Sequence, residues 1–167
     1  LSLYLDKSES DIFYAISGNW KPENTEWDDI FSDDIKFDDS KPYPLYLAYP
    51  IEENVYEDAV EEYFFEYKWD GIRGQIIKRN DKVYVWSRGE ELMTNSFPEF
   101  QNLVSYPTDF VIDGEIVVLK EDQSVANFNS LQKRIGRKTV SKKLQESHPV
   151  GFIAYDILES ETIDLRS

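Results

Sequence analysis

The chain has no cysteine in its 167 residues. That absence excludes disulfides and thiolate metal sites, and it fits a reducing compartment. Histidine occurs once, as His148, with no partner evident from the sequence, and no role is assigned to it. No apolar run approaches the ~20 residues of a membrane-spanning helix, and no signal-peptide pattern opens the chain. Bases are scarce: 18 Lys and Arg face 33 Asp and Glu, for a net charge of −15. A balance that acidic argues at first against a nucleic-acid partner. What is present is a 41% apolar and 15% aromatic composition, enough for the core of one domain or of part of a larger one. The chain begins at Leu1 and stops at Asp164-Leu165-Arg166-Ser167, and it is read as a fragment.

The charge is unevenly distributed, and that reopens the question of a nucleic-acid partner. Residues 1–67 carry 18 acids against 4 bases, whereas residues 68–167 carry 15 against 14. In the second part Lys133, Arg134, Arg137, Lys138, Lys142 and Lys143 fall together, with no acid between Gln123 and Glu146. The plain account of such a cluster is a solvated helix face. A local basic patch can also grip phosphates on an acidic protein.

Short capped helices are expected from Ser8 to Ser17 and from Thr25 to Phe31, followed by an acidic, turn-rich linker from Ser32 to Pro44. The main boundary falls near Lys41, dividing residues 1–40 from residues 41–167. Leu45 to Ala48 reads as a short strand and Asn54 to Phe64 as a helix. Strands are expected at Phe64 to Lys68, Ile72 to Arg79 and Lys82 to Ser87, a meander with turns at Asp70-Gly71 and Asn80-Asp81. Ser96-Phe97-Pro98-Glu99 has the form of a capping box opening a helix. A strand over Asp109 to Lys120, helices over Asn127 to Ile135 and Thr139 to Glu146, and a strand over Val150 to Leu158 complete the pattern. Without regular βαβ alternation, this is an α+β chain with antiparallel sheet. It has no internal repeat and no low-complexity segment.

Four segments carry groups suited to chemistry. In Glu66-Tyr67-Lys68-Trp69-Asp70-Gly71-Ile72-Arg73, strand alternation would put Glu66, Lys68 and Asp70 on one face, as a salt-bridged surface or the floor of a reactive pocket. An ordinary lysine is protonated at neutral pH, and adjacent acids favour that form, so they do not explain an activated Lys68; a divalent metal and further lysines would have to. In Val111-Ile112-Asp113-Gly114-Glu115-Ile116-Val117-Val118, Asp113 and Glu115 interrupt a hydrophobic strand. Such acids are neutralised by a neighbouring strand's Arg or Lys, or they serve a hard cation or ribose hydroxyls. Ser87-Arg88-Gly89 at a strand end is either a surface corner or a phosphate clamp. Phe152-Ile153-Ala154-Tyr155-Asp156 is core, or a strand whose aromatic stacks on a base.

Taken together and in this order, the four segments resemble the covalent nucleotidyltransferases: ATP-dependent DNA ligases, RNA ligases and mRNA capping enzymes. Lys68-Trp69-Asp70-Gly71-Ile72-Arg73 is similar to the Lys-x-Asp-Gly-x-Arg nucleophile motif. Ser87-Arg88-Gly89, Asp113-Gly114-Glu115 and Phe152 to Asp156 are similar to the motifs that follow it. The wording of Phe128 to Lys138 and of Pro42 to Ala48 resembles bacterial ATP-dependent DNA ligases that carry a helical DNA-binding domain in front. The resemblance covers residues 41–167 well. It implies the first half of a covalent-nucleotidyltransferase (ATP-grasp-like ligase) adenylation domain, with residues 1–40 as the tail of the helical domain and its linker.

The chemistry implied is attack of Lys68 on the α-phosphorus of ATP, transfer of AMP to the 5′-phosphate of nicked double-stranded DNA, and sealing by the 3′-hydroxyl, as in DNA repair, replication and recombination. On this resemblance Glu66 and Tyr155 would recognise adenine, Arg73 and Glu115 the ribose, and Arg88 a phosphate. Glu115 would lie near Mg2+ or Mn2+. Asp70, Ser87, Lys133, Arg134, Arg137 and Lys138 would face DNA. A monomeric, cytoplasmic bacterial enzyme without a membrane partner is implied. The family's later motifs are absent, so the 167-residue chain by itself is expected not to seal nicks. Two alternatives remain: an RNA ligase or capping-type guanylyltransferase with the same covalent step, and a catalytically dead module that holds DNA or a repair partner.

Overall fold

A computed structural model describes residues 4, 12, 15, 16, 21–27, 30, 39–46, 65–135, 137 and 139–166. Among these, five strands form one antiparallel sheet: β1 (Ile72–Arg79), β2 (Lys82–Ser87), β3 (Phe110–Val118), β4 (Val150–Ser160) and β5 (Ile163–Asp164), in spatial order β2-β1-β3-β4-β5. The helices are short: α1 (Phe128–Gln132), α2 (Lys142–Ser147), and 3-10 segments at Thr94–Ser96 and Pro98–Ser105.

Residue chemistry explains the hairpins. Asn80 and Asp81 both take positive φ, 47° and 57°, which side chains of this type tolerate and a two-residue hairpin turn demands. Glu161 and Thr162 do the same between β4 and β5. Alternation then divides the sheet into two faces. Ile76, Val83, Val85, Phe110, Ile116 and Val118 are buried on one face, where Met93, Phe97, Phe100 and Leu131 cover them. The Thr94–Ser96 and Pro98–Ser105 segments and α1 are thus the lid over the main core.

The opposite face is layered with polar groups. Gln75 makes two hydrogen bonds with the backbone of Tyr43, accepting at 2.8 Å and donating at 2.7 Å. Arg79 forms a two-point pair with Glu159, at 2.8 and 2.5 Å, and donates to the Lys41 carbonyl at 3.0 Å. Tyr43 Oη donates to Glu159 at 2.6 Å, and Trp86 Nε1 to the Ser40 carbonyl at 2.6 Å. Residues 40–42 are consequently buried although they have no regular secondary structure. The end of the stretch read as an acidic linker is therefore packed against the sheet, because the sheet's own side chains satisfy its backbone.

Several expectations meet the structure directly. The strands at 72–79, 82–87, 109–120 and 150–158 form where the alternation places them, within two residues at each end. The strand expected over Phe64 to Lys68 does not form among the described residues 65–68. The β1–β3 ladder ends at Ile72↔Ile116, and the next amide, Gly71 N, donates to the Glu115 side chain instead of to a strand. The expected capping-box helix is a 3-10 segment with no side-chain cap. The helix over 139–146 starts late, at Lys142, where Ser141 Oγ accepts from Leu144 N at 3.3 Å. Leu45 and Tyr46 pair with no strand. The helices expected over residues 8–17 and 54–64 lie largely or wholly outside the described residues. Among the described residues no helix is long and apolar enough to cross a membrane.

Candidate active site

Lys68 lies in the exposed segment 65–70 that leads into β1. The common face expected for Glu66, Lys68 and Asp70 lapses with the missing strand. Two hydrogen bonds hold the loop in its place. Gly71 N donates to Glu115 Oε1 at 3.1 Å, and Asp70 Oδ2 accepts from Phe128 N, at the start of α1, at 3.3 Å. Gly71 is required here by close approach. A Cβ on it would lie 2.2 Å from the Ile116 carbonyl oxygen and 2.9 Å from Glu115 Cγ. The Asp-Gly pair thus lets the loop press against β3 and rest on α1.

The two acids of β3 have different surroundings. Asp113 is bound by Arg73 at two points, Nε to Oδ1 at 2.8 Å and Nη2 to Oδ2 at 2.6 Å. Glu115 forms no ion pair among the described residues. Its carboxylate accepts from Gly71 N and, at 3.3 Å, from Tyr155 Oη. Burial pushes the Glu115 carboxyl up from its ordinary value, against the opposing hydrogen bonds from Tyr155 and Gly71 and the charges of Arg73 and Lys68. Tyr155 is pushed up to about 12, by burial first and then by the Glu115 charge and hydrogen bond, with a smaller contribution from Glu66. The Arg73 guanidinium lies 4.7 Å from the centre of the Tyr155 ring, within cation–π range.

Lys68, Arg73, Glu115 and Tyr155 are thereby gathered at one end of the polar face, with Glu66 close enough to act on Tyr155. Ser87 and Arg88 end the neighbouring strand. Ser87 pairs with Gly74, and Arg88 N donates to the Arg73 carbonyl at 2.7 Å, leaving the Arg88 side chain exposed.

The basic cluster separates. Lys133 and Arg137 are exposed, and Arg137 Nε donates to the Lys133 carbonyl at 2.5 Å. Arg134 is fully buried, which corrects its expected place on a DNA-facing surface. All of its N–H groups are engaged: with the Ser96 carbonyl, with both Glu99 oxygens, and with the His148 carbonyl at 2.9 Å. It braces the lid, because a buried guanidinium is tolerable only when paired and fully hydrogen-bonded. Lys138 lies outside the described residues.

Two residues have partners that sequence reasoning did not name. Asp113 was one of two equivalent-looking acids, and only the reach of the Arg73 side chain distinguishes them. His148, read as unpartnered, accepts from Lys133 at 3.0 Å and lies 2.9 Å from Ser147 Oγ. No sequence signal joins positions 133 and 148.

Among the described residues no group of three or more His, Asp or Glu is placed to hold a metal by itself. Glu115 offers one carboxylate, and that suits magnesium, which keeps water and substrate phosphate oxygens in its shell alongside one or two carboxylates.

A sequence model of the ATP-dependent DNA ligase domain matches residues 46–166. The chain belongs to this family. It is 39% identical over 119 residues to a probable DNA ligase of Koribacter versatilis, covering 70% of the chain and 20% of that protein. It is 32% identical over 103 residues to a DNA ligase of Saccharolobus islandicus, covering 59% and 17%. Among solved structures it resembles a mycobacterial DNA ligase D complexed with ATP and MES, at 28% identity and a TM-score of 0.47, covering 60% of the chain and 30% of that one. This ligase-family chain therefore spans about a fifth of the length of the curated relatives it matches.

Proposed function

We propose that this ligase-family chain is the first part of an adenylation domain in which Lys68 becomes covalently joined to AMP, and that the enzyme passes the AMP to the 5′-phosphate of a DNA nick. The observation that carries the proposal is the Lys68 loop held against Glu115 through Gly71 N, beside Arg73 and Tyr155. Lys68 Nζ, having given up a proton, attacks the α-phosphorus of ATP. The α–β phosphoanhydride bond breaks and pyrophosphate leaves. The resulting phosphoramidate keeps AMP activated for transfer to the 5′-phosphate, and the 3′-hydroxyl then displaces AMP.

The side chains serve mainly to position and neutralise, as phosphoryl transfer requires. The Arg73 guanidinium covers one face of the Tyr155 ring, and adenine stacks on the other, with Glu66 at its edge. Glu115 and Arg73 hold the ribose, and Arg88 and Ser87 receive phosphate oxygens. Magnesium or manganese held by Glu115 and the ATP phosphates would neutralise charge developing on the leaving group. Asp70 faces the nick, and Lys133, Arg137 and Lys138 follow the duplex backbone. Residues 1–40 are the end of a helical DNA-binding domain with its acidic linker, and residues 41–167 the start of the adenylation domain of a monomeric, cytoplasmic bacterial enzyme.

Intact mass after incubation with ATP and magnesium tests the covalent step, in the chain itself and in a polypeptide of its relatives' length. The longer polypeptide should gain one AMP and its Lys68→Ala variant none. Failure of the chain and of the longer polypeptide alike to gain AMP while remaining folded would favour a non-catalytic DNA-binding module.

A further inference from the structure

Away from the surroundings of Lys68, an imidazole is built into a network with exposed and buried cations. It lies where α1, α2 and the start of β4 meet. His148 is held there from inside and outside. Its backbone carbonyl accepts from the buried Arg134, so the residue is tied to the lid that Arg134 braces. Its ring Nε2 lies 3.0 Å from Lys133 Nζ, and its Nδ1 lies 2.9 Å from Ser147 Oγ. An ammonium can only donate, so Nε2 must carry the lone pair and Nδ1 the hydrogen. The imidazole is therefore neutral, in the Nδ1–H form, with Lys133 standing at its outer nitrogen.

The charges that act on the ring are Lys133 and Arg134, both cations. Among the described residues no carboxylate bonds to it. Glu99 is engaged on the far side, with the Arg134 guanidinium. Burial first, then these two cations, holds the His148 pKa below its ordinary value of 6.5. Lys133, Arg137, Lys142 and Lys143 are exposed cations of the surrounding segment, which has no acid between Gln123 and Glu146; Glu146 itself is exposed on α2, two residues before His148. Lys133 spends one of its three N–H groups on Nε2 and turns the others to solvent.

We propose that Lys133 and His148 together form a phosphate-contact subsite, in which His148 takes up a proton as a nucleic-acid phosphodiester binds. The proposal rests on the DNA-binding reading above and names the site where affinity becomes pH-dependent. When the ring gains a proton from solvent, Nε2 becomes a donor and can no longer receive Lys133. Two cations at that spacing repel each other unless an anion intervenes. A phosphodiester has two unesterified oxygens, one for the Lys133 ammonium and one for Nε2–H. By linkage, an anion that binds the protonated form more tightly raises the pKa of the ring, and affinity rises as the pH falls.

The sign is definite. The free protein carries a neutral His148 at pH 7.5, and binding should strengthen as pH falls through the values of the bound and free ring. His148 is the only histidine in the chain, so its titration can be read without ambiguity.

The test uses a fluorescein-labelled nicked duplex and fluorescence anisotropy from pH 7.5 to 5.5 at constant ionic strength, with nitrogen-detected NMR of the imidazole in parallel. The wild-type chain should bind about three- to tenfold more tightly at the lower pH. His148→Gln, which can accept from Lys133 but cannot titrate there, should bind with a flat profile. Lys133→Ala should weaken binding and reduce the salt slope by about one phosphate contact. The NMR spectrum should show the Nδ1–H form in the free protein and a pKa that rises when duplex is added. An equal pH slope in wild type and His148→Gln, or an imidazole titration unmoved by saturating duplex, would overturn the subsite while leaving DNA binding intact. Should His148→Gln fail to fold, the wild-type NMR titration alone decides. No binding to duplex at either pH would overturn both the subsite and the DNA-binding reading.

Discussion

Arg73 stands directly opposite Glu115 in the β1–β3 register, yet its guanidinium reaches diagonally to Asp113, the acid opposite Gln75. Diagonal neighbours on one face of an antiparallel pair are within reach of a long side chain. The choice leaves Glu115 with only neutral hydrogen-bond donors, although Arg73 and Lys68 both act on it through space. One arginine thus neutralises the acid it does not face and leaves the other available for a ligand.

That arrangement makes Asp113 a positioning residue. Asp113→Asn removes the charge and turns a donor toward one arm of Arg73, freeing the guanidinium to swing to Glu115. Stability should fall by about 1–3 kcal/mol. AMP attachment to Lys68 in the longer polypeptide should slow by about 10- to 100-fold, through KM for ATP as well as kcat, while the Arg73–Tyr155 contact is lost. Mass-resolved time courses over a range of ATP concentrations separate the two constants; an unchanged KM would show that Arg73 does not depend on Asp113.

Glu115 should display a conflict between stability and function. Its carboxyl is raised in the folded state, so it favours folding when protonated. That contribution is complete below the unfolded value of 4.5 and is lost as pH rises through the folded value, which makes the carboxylate a cost at neutral pH. Glu115→Gln should therefore melt higher than wild type at pH 7 and should lose the advantage near pH 4. The same variant should fail to acquire AMP. Thermal melts at the two pH values check the first claim, and a lower melting temperature at pH 7 would contradict it.

The Arg79–Glu159 pair behaves in the opposite sense. Burial pushes the Glu159 carboxyl up, but hydrogen bonds from Arg79 and Tyr43 outweigh burial and hold it below its ordinary value. Its contribution is present above the unfolded value of 4.5 and is lost as pH falls through the folded one. Arg79→Met, which strands a buried carboxylate, should cost about 3–5 kcal/mol at pH 7 and less at acid pH. Because Arg79 also bonds the Lys41 carbonyl, proteolysis should become faster near residues 39–44 than elsewhere. Denaturant titration and timed proteolysis report the two effects separately.

Much of this molecule follows from local pattern. Alternation of apolar and polar residues is enough to place β1 to β4, and Asn80-Asp81 to place the first hairpin, because side-chain period and backbone sterics act over a few residues. The motifs that hold Lys68, Arg73, Arg88, Glu115 and Tyr155 resemble those of the nucleotidyltransferases, and that resemblance is visible without any coordinates. The roles within that set were not legible in the same way. Only the folded arrangement of the side chains decides that Arg73 binds Asp113 and not Glu115, because both acids have the same parity on the same strand and the register sets Arg73 opposite the one it does not bind. Only packing puts Arg134 inside the lid while Lys133, its neighbour in the chain, stays at the surface. Burial also decides that residues 40–43, in a stretch that reads as an acidic linker, lie against the sheet: Gln75, Arg79 and Trp86 supply partners to the backbone of Tyr43, Lys41 and Ser40, and no local rule shows that those partners are there.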